Sequence, residues 1–159
     1  MGEVSSATDH VLDREVAIKL IHPQMSANPN MRRSFAREAR AFALLHHPHI
    51  VEIYDYGMTE SAQIYIAMEF IHGCTLHSLA EETLPLPVII EIMKQLLSAL
   101  AHAHAKGLSH LDLKAENVLV TVEQDKIWTK LVDFGIAALP ANFDDRDLQA
   151  QVPTFGTPA

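Results

Sequence analysis

The chain has a single cysteine, Cys74, among its 159 residues. No intramolecular disulfide can form, and a reducing, cytoplasmic setting fits this usage. Basic residues are also scarce: 12 Lys and Arg stand against 20 Asp and Glu, giving a formal net charge of −8. That balance argues against general nucleic-acid binding and against docking on an anionic membrane, but it does not exclude an anionic nucleotide held by local groups. No apolar run reaches the length of a membrane span. The opening residues MGEVSSATDH carry no charged segment followed by an apolar core and do not read as a signal peptide. Internal repeats and low-complexity tracts are absent.

What is present is enough to bury a core: 48% of residues are hydrophobic and 20% charged. Ten histidines suggest a metal at first sight. His46, His47 and His49 crowd around Pro48, and His102 and His104 lie in a predicted helix. Neither group has cysteine partners or the His-Glu-x-x-His spacing, so they read as a turn and a helix surface.

Arg14 to Ile21, REVAIKLI, is rich in Val and Ile and predicts a strand with Lys19 near its end. Asn28 and Pro29 then supply an N-cap and a first turn for a helix running to about His46. Its apolar stripe is Phe35, Ala39, Phe42 and Leu45 or His46. Glu38 falls on that stripe, and a carboxylate there is costly unless it reaches water at the edge or meets a buried cation. Lys19 is the nearest upstream candidate. Two strands follow, HIVEIYDYG and AQIYIAMEFI, and then a loop into a short helix. From Val88 to Lys106, Ile89, Ile92, Met93, Leu96, Leu97, Leu100 and Ala103 keep helical spacing and predict a core helix, with Gly107 as its C′ residue. A strand, a turn at Glu123–Lys126 and a second strand come next, and from Ala137 the pattern weakens to a loop. Strands with one helix precede mostly helix with a hairpin, an α+β plan in two parts hinged near Phe70–Thr75.

Four fragments carry chemistry in a fixed order: VAIK on a strand, Glu38 on the next helix, HLDLKAEN in a loop before a strand, and DFG at a strand end. Together they resemble the protein kinase catalytic domain, with bacterial Ser/Thr kinases of the eukaryotic type as the nearest match. The resemblance covers nearly the whole chain. It implies a two-lobed kinase-like fold, incomplete here: a partial ATP-binding lobe over residues 1–71 and a partial catalytic lobe over 72–159 that ends in the activation loop. It also implies ATP and Mg²⁺ as ligands and a protein Ser or Thr hydroxyl as acceptor. Lys19 is then expected on the α- and β-phosphates with Glu38 pairing to it. Asp112 takes or orients the acceptor proton, Lys114 lies against the moving phosphate, and Asn117 and Asp133 ligate Mg²⁺. Val4, Ala17 and Leu119 are expected around the adenine, with Met68 behind the pocket and Glu69 and Ile71 offering backbone hydrogen bonds. Phe42, Ile53, His110 and Phe134 match the family's stacked spine. Thr154 is a candidate phosphosite, and Thr157 matches a substrate-platform position.

Three departures qualify the match. Only Gly2 and Val4 correspond to the end of the glycine-rich loop, whose first strand and first two glycines have no counterpart. The sequence stops at Ala159, after GTP, without the Ala-Pro-Glu motif or the later helices. The expectation is therefore a fragment with little or no activity alone and a large exposed apolar patch. Leu111 replaces the Arg that in many relatives reads activation-loop phosphorylation. Two other readings are a pseudokinase that binds nucleotide or partners, opposed by the presence of Lys19, Glu38, Asp112, Asn117 and Asp133, and a small-molecule phosphotransferase, opposed by VAIK, DFG and GTPA together.

Overall fold

The computed structural model describes residues 2–81 and 83–133, without the side chains of Ser34 and Glu38. Phe134, Thr154 and Thr157 therefore lie outside the described residues.

Seven residues, Glu3–Asp9, form β1 and pair along their whole length with β2, Arg14–Leu20. The four-stranded antiparallel sheet runs β1-β2-β4-β3, with β3 at Ile53–Met58 and β4 at Ile64–Glu69. β1 was not expected from its polar sequence; its ladder to β2 rather than buried side chains holds it there. A five-residue helix, α1 (Pro23–Ala27), was also unforeseen. It precedes α2 (Pro29–Ala43), where the Asn28 side chain accepts hydrogen bonds from the Asn30 and Met31 amides and so caps donors that would otherwise lack partners. The expected stripe holds, because Phe35, Ala39, Phe42 and Leu45 are all buried.

Beyond β4 the chain forms β5 (Cys74–Thr75), α3 (Leu76–Leu79) and the long α4 (Leu86–Ala105). Gly107, at φ 74°, ends α4 as the predicted C′ residue in the left-handed conformation that glycine adopts without steric cost. After the catalytic-type loop, a 3₁₀ turn at Ala115–Asn117 leads into β6 (Val118–Glu123) and β7 (Lys126–Leu131). Gln124 and Asp125, both at positive φ, make the two-residue turn between them. β5, β6 and β7 form a second antiparallel sheet.

Two buried clusters correspond to two lobes. One joins Phe35 and Ala39 of α2 to Ala17, Ile64, Ile66 and Met68 of the first sheet. The other joins Phe42 and Leu45 to Ile92, Leu96, Ala99, Val118 and Leu131. Ile53 packs against both. One expectation about α4 needs correction. Ile92, Leu96, Ala99 and Ala103 are buried, but Ile89, Met93 and Leu97 are exposed, together with Leu86 and Ile90. Polar Gln95 takes an inward position instead. The helix also has the length and mean hydropathy of a membrane span (20 residues, 1.3), contrary to the expectation that no such segment exists. Its inner face nevertheless packs on β7 and the core.

Candidate active site

Lys19 reaches the site because strand alternation turns it to the inner face of β2, opposite Val4 on β1 and Ile66 on β4. It is 5% exposed, so its ammonium needs an anionic partner. That partner is Asp133, whose Oδ1 accepts from Nζ at 2.6 Å. The bond spans the two lobes. Glu38 lies on α2 as expected, but its side chain is outside the described residues, so its pairing with Lys19 is not seen.

The loop His110–Asn117 supplies the other groups. The Asp112 amide donates to the His110 carbonyl at 2.8 Å across Leu111, which sits at φ 59°. This tight γ-type turn puts a non-glycine residue in a left-handed conformation that costs energy and persists only where its surroundings hold it. Leu111 thereby points outward, exposed. Asn117 is 6% exposed; its Nδ2 donates to the Asp112 carbonyl at 2.8 Å and to Asp112 Oδ2 at 3.1 Å. Because that carbonyl can only accept, the amide orientation is fixed and Oδ1 is left as an acceptor on the other side. The backbone also joins these parts, since the Val132 amide donates to the Asn117 carbonyl at 2.9 Å. Asp133 follows directly, at φ 55°.

Lys114 Nζ lies 2.9 Å from Asp112 Oδ2. The Lys114 hydrogen bond, with that from Asn117, holds the Asp112 carboxyl below its ordinary range, and Asp112 in turn raises Lys114. His110 is buried and its Nε2 donates to the Val132 carbonyl at 3.0 Å; burial pushes the imidazole below its usual value. Lys19 with Asp133, and Asn117 with Asp112 and Lys114, thus form two polar groups, and the Val132–Asn117 backbone bond brings their segments together. Asn117 Oδ1 and the Asp133 carboxylate are hard oxygen donors of the kind that suit Mg²⁺, which commonly takes one or two protein ligands and completes its shell with phosphate and water.

The candidates for the base are distributed differently. Ala17 and Met68 face each other in the β2–β4 register. Met68 also lines a narrow apolar cavity with Phe35, Phe42, Ile53 and Asp133. Val4 is exposed on β1 and Leu119 half-buried on β6. The Glu69 amide donates to the Glu52 carbonyl at 2.9 Å, and the Ile71 carbonyl accepts from Gly73 at 3.0 Å. Phe42 and His110 are buried and Ile53 is partly so.

Sequence reasoning missed three residues. Lys130 of β7 bonds Glu69 Oε2 at 2.7 Å and links the lobes a second time. Gln95 and His49 both bond the edge of β7. Gln95 could have been noticed as Glu38 was, since it lies three residues after Ile92 and four before Ala99 on an otherwise apolar stripe. Nothing local in the sequence marks the other two.

The fold is of the two-lobed, kinase-like class. The protein kinase domain family matches residues 1–156. Among curated relatives, the serine/threonine-protein kinase PknE of Mycobacterium bovis is 41% identical over 140 residues, covering 87% of this chain and 24% of PknE. The serine/threonine-protein kinase pkn3 of Myxococcus xanthus is 35% identical over 148 residues, covering 91% of this chain and 27% of pkn3. The crystal structure of the Mycobacterium tuberculosis PknI kinase domain superposes with a TM-score of 0.73 at 35% identity, covering 88% of this chain and 55% of that one. A structure of Rad53 in complex with AMP-PNP gives 0.72 at 28% identity, covering 85% and 35%. The chain belongs to the protein kinase domain family, and it spans about a quarter of the length of the curated relatives it matches.

Proposed function

We propose that this chain carries the nucleotide site and catalytic loop of a Ser/Thr protein kinase, which moves the γ-phosphoryl group of ATP to a protein hydroxyl. The observation that carries the reading is the pair Lys19–Asp133 and the group Asn117–Asp112–Lys114, whose segments are joined by the Val132–Asn117 backbone bond at the lobe junction. Phosphoryl transfer needs little covalent chemistry from the protein; it needs positioning and charge neutralisation. In this reading the acceptor oxygen bonds to the γ-phosphorus while the bond to the β-phosphate oxygen breaks, and ADP leaves. Asp112 orients the acceptor hydroxyl and receives its proton. It stays ionised because Lys114 and Asn117 hold its pKa down. Lys114 then turns from Asp112 toward the moving phosphoryl oxygens, and Lys19 exchanges Asp133 for phosphate. Asn117 and Asp133 would hold Mg²⁺, which supplies neutralisation of phosphate charge when bound.

The relatives' names support a Ser/Thr acceptor, and the AMP-PNP in the Rad53 structure supports a nucleotide site. We place the lobe boundary near Ile71 and this part of the chain in the cytoplasm. The chain alone is expected to bind Mg-ATP but to show little or no phosphate transfer, because the outer face of α4 is uncovered among the described residues. The test is transfer of labelled phosphate to a generic protein substrate by a longer polypeptide containing these residues, with Asp112→Asn as control. Transfer abolished by Asp112→Asn supports the reading. A nucleotide-binding module without catalysis is the second reading. Mg-ATP binding without any transfer by the longer polypeptide would select it.

A further inference from the structure

β7 is the outer strand of its sheet, with β6 on one side only. An edge strand ordinarily leaves a row of amides and carbonyls without partners. Here every outward group from the Ile127 carbonyl to the Leu131 carbonyl is bonded. Gln95 Nε2 donates to Ile127 O at 2.8 Å, and Thr129 N donates to Gln95 Oε1 at 2.7 Å. His49 Nδ1 donates to Thr129 O at 3.0 Å. Leu131 N donates to His49 O at 2.9 Å, and Val51 N donates to Leu131 O at 3.0 Å. Two side chains and one loop therefore replace the missing strand.

Gln95 is fully used. Its nitrogen also donates to Glu91 Oε1 at 3.0 Å, and its oxygen also accepts from Thr129 Oγ1 at 2.9 Å. At 8% exposure such an amide is costly to bury unless its bonds are made. The strand it holds runs straight into the site. Val132 is clasped by Asn117 O and His110 Nε2, and the next residue, Asp133, sits at a positive φ that a non-glycine residue keeps only under constraint.

We infer that Gln95 and His49 are positioning residues of the phosphotransfer site: by closing the edge of β7 they fix the conformation in which Asp133 meets a phosphate-bound metal. The inference rests on the functional reading above. Neither residue touches the reacting groups; each acts through β7. Groups that support a metal ligand from behind typically alter metal affinity when removed.

The test measures binding of AMP-PNP to the chain with and without Mg²⁺. In the unmodified chain Mg²⁺ is expected to tighten binding. Gln95→Leu is expected to leave metal-free affinity unchanged and to cut the Mg²⁺ effect by about tenfold. His49→Ala moves the same way, and His49→Asn, whose amide can donate to Thr129 O, restores the effect. If Gln95→Leu gives no cooperative melt, Thr129→Val replaces it; it keeps the side-chain shape, loses only the hydroxyl bond, and should lower the Mg²⁺ effect less. Equal losses with and without Mg²⁺, or an undiminished Mg²⁺ effect in the variant that folds, overturn the inference alone. No Mg²⁺ effect in the unmodified chain overturns the functional reading, and the inference with it.

Discussion

Asp112 and Lys114 show how two exposed side chains set each other's charge. The ammonium keeps the carboxyl ionised to lower pH than a lone aspartate. A general base must be unprotonated to act, so the acid limb of the pH–rate profile of an active form reports this pair. Lys114→Met is expected to shift that limb to higher pH, because the carboxylate loses its nearest cation; an unmoved limb would show that Asp112 is held down by something else. Asp112→Asn should lower turnover by at least about 10²-fold while leaving nucleotide affinity in place. The identities of these residues were legible in the spacing of HLDLKAEN. Their conformations were not: Leu111 takes its positive φ in the tight turn between His110 and Asp112, Asp133 takes its own beside a bond to distant Lys19, and neither residue type advertises it. The partner of Lys19 was equally hidden. Glu38, the partner read from the apolar stripe, has its side chain outside the described residues, and the bond that is described goes to Asp133, which is 114 residues away.

At the scale of elements, α2 and α4 carry the argument. α2 begins where Asn28 caps it, and Asn28→Ala is expected to cost about 1 kcal/mol in a denaturant melt. Gly73 sits where a Cβ would come within 2.4 Å of the Val120 carbonyl, so Gly73→Ala must move β5 away from β6 and is expected to weaken their pairing. Helical periodicity revealed both α2 and α4 because one face of each meets apolar neighbours. The second face of α4 is the exposed apolar patch expected from the sequence, although spacing alone marks only which residues share a side and not what covers that side. Leu86 and Leu97 are 67% and 59% exposed on it. Met93→Glu or Leu97→Lys is expected to improve solubility and reduce dye binding by the 159-residue chain, with stability changed by no more than about 0.5 kcal/mol. A loss of several kcal/mol would mean that this face is covered after all. β1 escaped notice for the opposite reason: as a polar edge strand it has no buried alternation to display, and only its ladder to β2 defines it.

At the scale of the whole molecule, two imidazoles among the described residues favour the neutral form. Burial, with His102 and His49 nearby, lowers His47 from its ordinary value of 6.5, and burial lowers His110 likewise. His47 Nδ1 accepts from the His49 amide, and its ring packs on His102 beside Ser98, so the loop after α2 is fastened to α4 through the His47 ring. The unfolded chain takes up protons below about pH 6.5, before the folded chain does. Stability is therefore fully present above that pH and is lost as pH falls from there through the lowered folded values. The melting temperature should be level near pH 7.5 and fall below pH 6.5, and His47→Gln should remove part of that slope. The two-part architecture itself was legible, since it follows from the order of strands and helices. The ties between the parts were not, because Lys19–Asp133 and Lys130–Glu69 each join residues that no local pattern relates.

The central claim is that Lys19, Asn117 and Asp133 form a metal–nucleotide site at the lobe junction. Thermal unfolding of the chain with Mg²⁺ and AMP-PNP tests it most directly, since a ligand that binds only the folded state must raise the melting temperature. At about 100-fold over the dissociation constant, a rise of about 5–10 °C is expected, falling to near zero for Lys19→Met and Asp133→Asn. No rise in the unmodified chain, or the same rise in both variants, would contradict it.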